Sequence, residues 1–284
     1  MKEINFDYVK MMKEIDTYMN KYKFLSITVA SKSMLGNNIP AIIFGEGKST
    51  VVYVGGEEGC DAMSSNILLR FVKDICSLSE EGGSAFGFSA ELIFKNYTLV
   101  IIPMLNPDGS CYCSQGVAID NPLRERVLRI NNGSEDFSAW KGNARGVELK
   151  YNYDTEYSQN EPEVEVGTLC NFLRYGFKPD ILLSFSQSAS NNEGIIGFGE
   201  GEIENKMAVA LSQMSGMKRA YRESEMHRLT IVDWSIRELC AAAFSIELPH
   251  LKYSTQKQFN DKCFSHYAQL RKVLFCTPFL NKIK

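Results

Sequence analysis

Val51-Val-Tyr-Val-Gly-Gly-Glu-Glu-Gly-Cys-Asp-Ala-Met-Ser-Ser65 decides the fold. Val51–Val54 is wholly apolar, which suits a strand buried on both faces of a sheet. Gly55-Gly56 breaks it. From about Ala62 to Leu78, Ile67, Leu68, Phe71 and Ile75 recur at helical spacing. Strand, tight turn and helix thus follow within thirty residues, and the pattern repeats outward. Tyr97–Leu105, Asp180–Phe185, Gly194–Phe198 and Phe244–Leu248 read as strands, preceded by two short β runs, Leu25–Ser31 and Ile39–Gly45, around a Gly36-Asn37-Asn38 turn. Phe6–Lys21, Glu204–Ser215, Asp233–Ala241 and Phe259–Leu274 read as helices, as does Glu161–Tyr175, with Pro162 at an early position and acids at its positive end. Apolar strands alternating with helices predict an α/β fold, a three-layer α/β/α sandwich forming one domain over residues 1–284.

Composition narrows the function. The chain is 44% hydrophobic and 23% charged with a formal net charge of −3, so it carries no electrostatic footprint for nucleic acid. Its apolar runs are too short to cross a bilayer. The start, Met1-Lys2-Glu3-Ile4-Asn5-Phe6-Asp7, has acids where a signal peptide needs a basic segment and an apolar stretch, so a cytoplasmic location is expected. Eight cysteines lie scattered without pairing rhythm and are expected to be reduced and mostly buried. Gly109–Asn143 is a long polar excursion of the kind that carries function or covers a site.

VVYVGGEEGCDAMSS (Val51–Ser65), IPMLNPDG (Ile102–Gly109), WKGNARGVELKYNYD (Trp140–Asp154) and IVDWSIRELCAAAFSIELP (Ile231–Pro249) follow one another along the chain. In this order the four segments resemble the zinc carboxypeptidase family, above all its bacterial branch of γ-D-glutamyl-L-diamino acid endopeptidases that trim cell-wall peptides. Weaker likenesses fill the gaps: SKSMLGNNIP (Ser31–Pro40), NEPEV (Asn160–Val164) and LLSFSQSA (Leu182–Ala189). The resemblance implies a central mixed sheet of about eight strands. It also places the family's two metal histidines at Glu58 and Ser186, and its metal glutamate at Asp61. The asparagine–arginine pair that holds the substrate carboxylate falls on Lys150-Tyr151. The catalytic base falls on Glu247 and the oxyanion-stabilising cation on Lys141. Arg145, in the same loop, joins the substrate-binding candidates.

The chemistry then departs from the family. Zinc in such sites lowers the pKa of bound water to about 7 and polarises the scissile carbonyl. A glutamate moves the proton from water to the leaving amine. This chain has only three histidines, His227, His250 and His266, none at a ligand position. Glu58 and Asp61 are hard oxygen donors and Ser186 a poor neutral one, a set better suited to Mg²⁺ or Ca²⁺ than to zinc. No cofactor is expected. If Glu58, Asp61 and Glu247 converge, each pair of carboxylates at 4 Å repels by about 4 kcal/mol at an effective dielectric of 20. The Lys150 ammonium is expected to supply the local positive charge in zinc's place.

Plainer readings stand beside these. Glu58 and Asp61 favour a helix N-terminus. Ser186 bonds to backbone, Lys141 and Lys150 are solvated, Arg145 braces its loop, and Trp140 and Trp234 pack. His250 follows Glu247 closely enough to reach the pocket. Three functions stay open: a family member without ordinary zinc catalysis that keeps a cleft for a peptide or amino-acid-derived ligand; an active peptidase with an atypical metal site; and a module whose polar excursion meets a protein partner.

Overall fold

The computed structural model describes residues 6–153, 161–187, 193–222, 228–249 and 254–283. The strands are β1 (Ser26–Lys32), β2 (Asn38–Phe44), β3 (Ser49–Val54), β4 (Ser84–Ala85), β5 (Phe88–Ser89), β6 (Tyr97–Ile102), β7 (Ile181–Gln187), β8 (Ile195–Phe198), β9 (Lys218–Tyr221) and β10 (Ala242–Leu248). Among them run α1 (Tyr8–Lys21), α2 (Ala62–Glu80), α3 (Ala90–Asn96), α4 (Pro107–Gln115), α5 (Arg124–Ile130), α6 (Val164–Tyr175), α7 (Glu202–Ser215), α8 (Ile231–Leu239) and α9 (Gln256–Cys276).

One eight-stranded sheet takes the order β1-β2-β6-β3-β7-β10-β8-β9. Its centre, β6-β3-β7-β10, is parallel, while β1, β2 and β8 pair antiparallel with their inner neighbours. The expected mixed α/β/α sheet is therefore present. β3 has β6 on one side and β7 on the other, so the chain reverses its winding there. Ligand crevices form at the carboxyl ends of strands beside such a switch.

Side-chain alternation divides the core into two layers. Val51 and Tyr53, Ile181, Leu183 and Phe185, and Phe244 and Ile246 join one apolar layer with residues of α1, α2, α7 and α9. Val52, Val54, Leu182 and Ala243 join the other, with residues of α6 and α8. The same period of two hands Ser184, Ser186, Ser245 and Glu247 to this second face. There the apolar filling stops at the carboxyl end of the sheet. β10 lies in register with β7, so Glu247 stands opposite Ser186.

The excursion over Gly109–Asn143 is more ordered than its polarity suggests. It holds α5 and most of α4, and has a nucleus of its own in Tyr112, Val117, Val127, Phe137 and Trp140. Among the described residues no helix is long and apolar enough to cross a membrane.

Candidate functional site

The site is built by backbones that approach closely. After β3, Gly55 and Gly56 accept from the amides of Leu105 and Asn106, continuing the β3–β6 pairing into two loops. Gly56 has φ +60°, a conformation an L side chain rarely adopts. Asn106, 1% exposed, joins three loops: its Nδ2 lies within 3.2 Å of the carbonyls of Glu57, Lys141 and Gly142, and its Oδ1 accepts from Gly109 N to cap α4. Gly59 N donates to Lys141 O at 3.1 Å.

This frame sets neighbouring acids to different tasks. Glu57 turns inward and is 2% exposed. Tyr153 donates to its Oε1 at 2.9 Å and Ser184 to its Oε2 at 2.8 Å. Burial pushes its pKa up, and the two hydroxyls oppose that shift. Asp61 caps α2, accepting from Ser64 N at 3.0 Å and Ser64 Oγ at 2.7 Å, and it also accepts from Gln187 N at 3.3 Å. The last bond ties the start of α2 to the end of β7. Desolvation raises the Asp61 pKa to about 6, with the nearby Glu58 charge adding to it and Lys150 opposing it.

Two ammonium groups face these acids. Lys141 Nζ lies 3.4 Å from Glu58 Oε1. Burial works against the Lys141 charge, but Glu58 overrides it and raises the pKa. Lys150 Nζ lies 3.3 Å from Ser186 Oγ and acts electrostatically on both Glu57 and Asp61. Ser186 Oγ thus meets a side chain, the Lys150 ammonium. Tyr151 follows Lys150 in a short 3₁₀ turn, Leu149–Tyr151. Glu247 is half-buried opposite Ser186 and makes no side-chain hydrogen bond to a described residue.

Residues 11–173 match the family model for zinc carboxypeptidases. The chain belongs to the zinc carboxypeptidase family. It is 28% identical over 153 residues to Gamma-D-glutamyl-L-diamino acid endopeptidase 1 of Lysinibacillus sphaericus, covering 54% of this chain and 39% of that protein. It therefore spans well under half of that relative's length. A metallo-carboxypeptidase from Burkholderia cenocepacia superposes with a TM-score of 0.67 at 12% identity, covering 94% of this chain and 69% of the other. Bovine thrombin-activatable fibrinolysis inhibitor gives 0.65 at 15% identity, covering 94% and 93%. These two likenesses extend the family fold past residue 173, into the region that carries Ser186 and Glu247.

Against the zinc of this family, the donors present do not fit. Glu58 is paired with Lys141, the Ser186 hydroxyl meets an ammonium, and no imidazole stands at any of the three positions. Among the described residues no three His, Cys, Asp or Glu side chains form a group able to hold a metal ion. Glu57, Glu58 and Asp61 are all buried, but Glu57 is the one held by interior hydroxyls, those of Tyr153 and Ser184. Sequence reasoning passed over it because two adjacent glutamates at a turn give no sign of which one points inward. Arg145 braces the loop: its Nη2 pairs with Glu163 at 2.5 Å and its backbone N donates to Asn143 Oδ1 at 2.9 Å. It also lines a polar hollow of about 500 Å³ with Arg126, Asn152 and Glu163, and Glu58, Asp61 and Ser186 are not part of that lining. His227 and His250 lie outside the described residues. His266 is buried on α9. The cysteines are free; Cys76, Cys170, Cys263 and Cys276 are buried and Cys240 is exposed.

Proposed function

We propose that this protein is a zinc carboxypeptidase homologue that has lost ordinary zinc catalysis and retains a cleft for a peptide or amino-acid-derived ligand. The supporting observation is the pair of ammonium groups at the family's ligand positions, Lys141 on Glu58 and Lys150 on Ser186. A dication set among them would meet two positive charges at close range, and a +2 and a +1 charge at 4 Å repel by about 8 kcal/mol even at an effective dielectric of 20. The lysines neutralise the carboxylates without a metal, leaving the oxyanion and the nucleophilic water without a Lewis acid. The same reading treats residues 1–284 as one domain, because a single sheet carries both core layers.

The endopeptidase relative is named for γ-D-glutamyl-L-diamino acid peptides, so such peptides head the ligand panel. The test is elemental analysis of the purified protein beside hydrolysis and binding assays with γ-D-glutamyl-L-lysine and C-terminal peptides. Binding without turnover, at substoichiometric zinc, is expected. Stoichiometric zinc with hydrolysis abolished by Glu247→Gln would establish an active peptidase and overturn the proposal.

A further inference from the structure

The polar hollow beside the start of α6 has a volume of about 500 Å³, well within the range of small-ligand pockets. Its floor is fixed by buried polar groups. Asn143, 0% exposed, donates to Glu163 Oε2 at 2.9 Å. Glu163 pairs with Arg145 and donates its backbone N to Asn152 Oδ1 at 2.6 Å. Arg145 and Glu163 thus neutralise each other, and two other charges on the lining stay uncommitted. Arg126 is anchored through Nε, which donates to Arg145 O at 3.1 Å. Its remaining N–H groups meet no carboxylate among the described residues. Glu161, two residues before Glu163, lines the hollow without a side-chain partner among the described residues. Arg145 Nε is buried and likewise unpartnered among them. Met34, Val147 and Val164 make the rest of the wall apolar.

We propose that this hollow is a second binding site, for a free aliphatic amino acid in its zwitterionic form. The site goes beyond the cleft reading, since Glu58, Asp61 and Ser186 take no part in its lining. Arg126, with Arg145 Nε behind it, takes the carboxylate. Glu161 takes the ammonium, and the apolar wall takes the side chain. Charge balance selects this class. The charged lining residues are two arginines, Arg126 and Arg145, and two glutamates, Glu161 and Glu163, so their formal charges cancel. A simple anion would meet both carboxylates, and a simple cation both guanidinium groups. Arg126 and Glu161 are linked only through the Arg145–Glu163 pair and do not bond to each other. A molecule carrying both charges satisfies both at once.

Isothermal titration of the full chain with L-leucine, L-leucinamide and N-acetyl-L-leucine tests this. The free amino acid is expected to bind about tenfold more tightly than either blocked analogue. Arg126→Ala should weaken L-leucine to the level of the amide and leave the amide unchanged. Glu161→Gln should weaken it to the level of the N-acetyl compound and leave that compound unchanged. Both side chains are exposed, so neither variant should lose stability, and an unchanged thermal transition checks this. If L-leucine binds no more tightly than its blocked analogues, or keeps its affinity in either variant, the assignment falls. Lys150→Ala changes the candidate site and not the hollow, so L-leucine should bind it as it binds the native protein. Loss of binding there would seat the amino acid in the cleft and overturn the second site.

Discussion

Tyr153 and Glu57 meet at 2.9 Å in a layer where the tyrosine is 0% and the glutamate 2% exposed. The contact joins the loop after β3 to the 3₁₀ turn that carries Lys150 and Tyr151, and Ser184 extends it to β7. Three segments that meet at the candidate site thus share one buried carboxylate. A buried polar group left without its partner is costly, whereas a conservative replacement that keeps the bonds is not.

Glu57→Ala is accordingly expected to destabilise the protein by about 3 kcal/mol, since it strands two hydroxyls and opens a small cavity. Tyr153→Phe should cost about 1 kcal/mol, because Glu57 keeps Ser184. Glu57→Gln should fall between the native protein and Glu57→Ala, since both hydroxyls can reorient to an amide. Urea denaturation of the three variants checks the ranking. Equal midpoints for Glu57→Ala and the native protein would show that the contact does not brace these three segments.

The motif glycines make a sharper prediction. A Cβ on Gly109 would lie 2.3 Å from Gly142 O, and one on Gly59 2.7 Å from the Gly109 carbonyl carbon. Both neighbours are backbone, so neither gives way cheaply. Gly109→Ala is expected to cost more than about 3 kcal/mol or to abolish soluble expression. Gly133 has φ +77° and open space around it, so Gly133→Ala should cost only about 1 kcal/mol of backbone strain. Thermal denaturation of the pair separates steric exclusion from conformational strain, and similar losses in both would refute the close-approach argument.

Much of this was legible in the chain. Ile181–Gln187 and Ala242–Leu248 write their alternation openly, with large apolar residues on one parity and Ser184, Ser186, Ser245 and Glu247 on the other. The spacing of Glu58 and Asp61 put them at a helix start, where Asp61 indeed caps α2. Other elements hide for physical reasons. Asn106-Pro107-Asp108-Gly109 reads as a turn, yet an Asn cap followed by proline is equally how a helix begins, and α4 starts there. β9 is a short charged edge strand whose signal is its hydrogen bonding to β8, not its composition. Arg228 meets Tyr151 across a sequence separation that no local pattern records.

His266 gives a pH dependence away from the cleft. It is 6% exposed, its Nε2 has no partner among the described residues, and burial holds its pKa below the usual 6.5. Just below pH 6.5 the unfolded chain binds more protons here than the folded one, so stability rises with pH through that window and is lost on acidification. Carboxylates add their own acid effects, so the comparison must be with a variant. His266→Gln is expected to flatten the part of the profile near pH 6, read from urea midpoints between about pH 5 and 7.5. Parallel profiles for the two proteins would exclude His266 as the cause.

Rebuilding the metal site tests the placement of the family's ligands directly. Asp61 accepts from Gln187 N, the residue after Ser186, and the Glu58 charge acts on Asp61, so positions 58, 61 and 186 are neighbours in the fold. On the proposed reading, what opposes zinc there is the donor chemistry and the ammonium of Lys150 beside Ser186. The combined variant Glu58→His, Asp61→Glu, Ser186→His and Lys150→Asn replaces both. Two imidazoles and a carboxylate match a three-ligand catalytic zinc site, so the variant should bind one zinc per chain in a chelator competition assay. Loss of the Asp61 cap should lower its stability by about 1 kcal/mol. Zinc should in turn raise its unfolding temperature, because the ion binds the native state alone. A folded variant that ignores zinc would mean that these three positions do not converge as the family's ligands do.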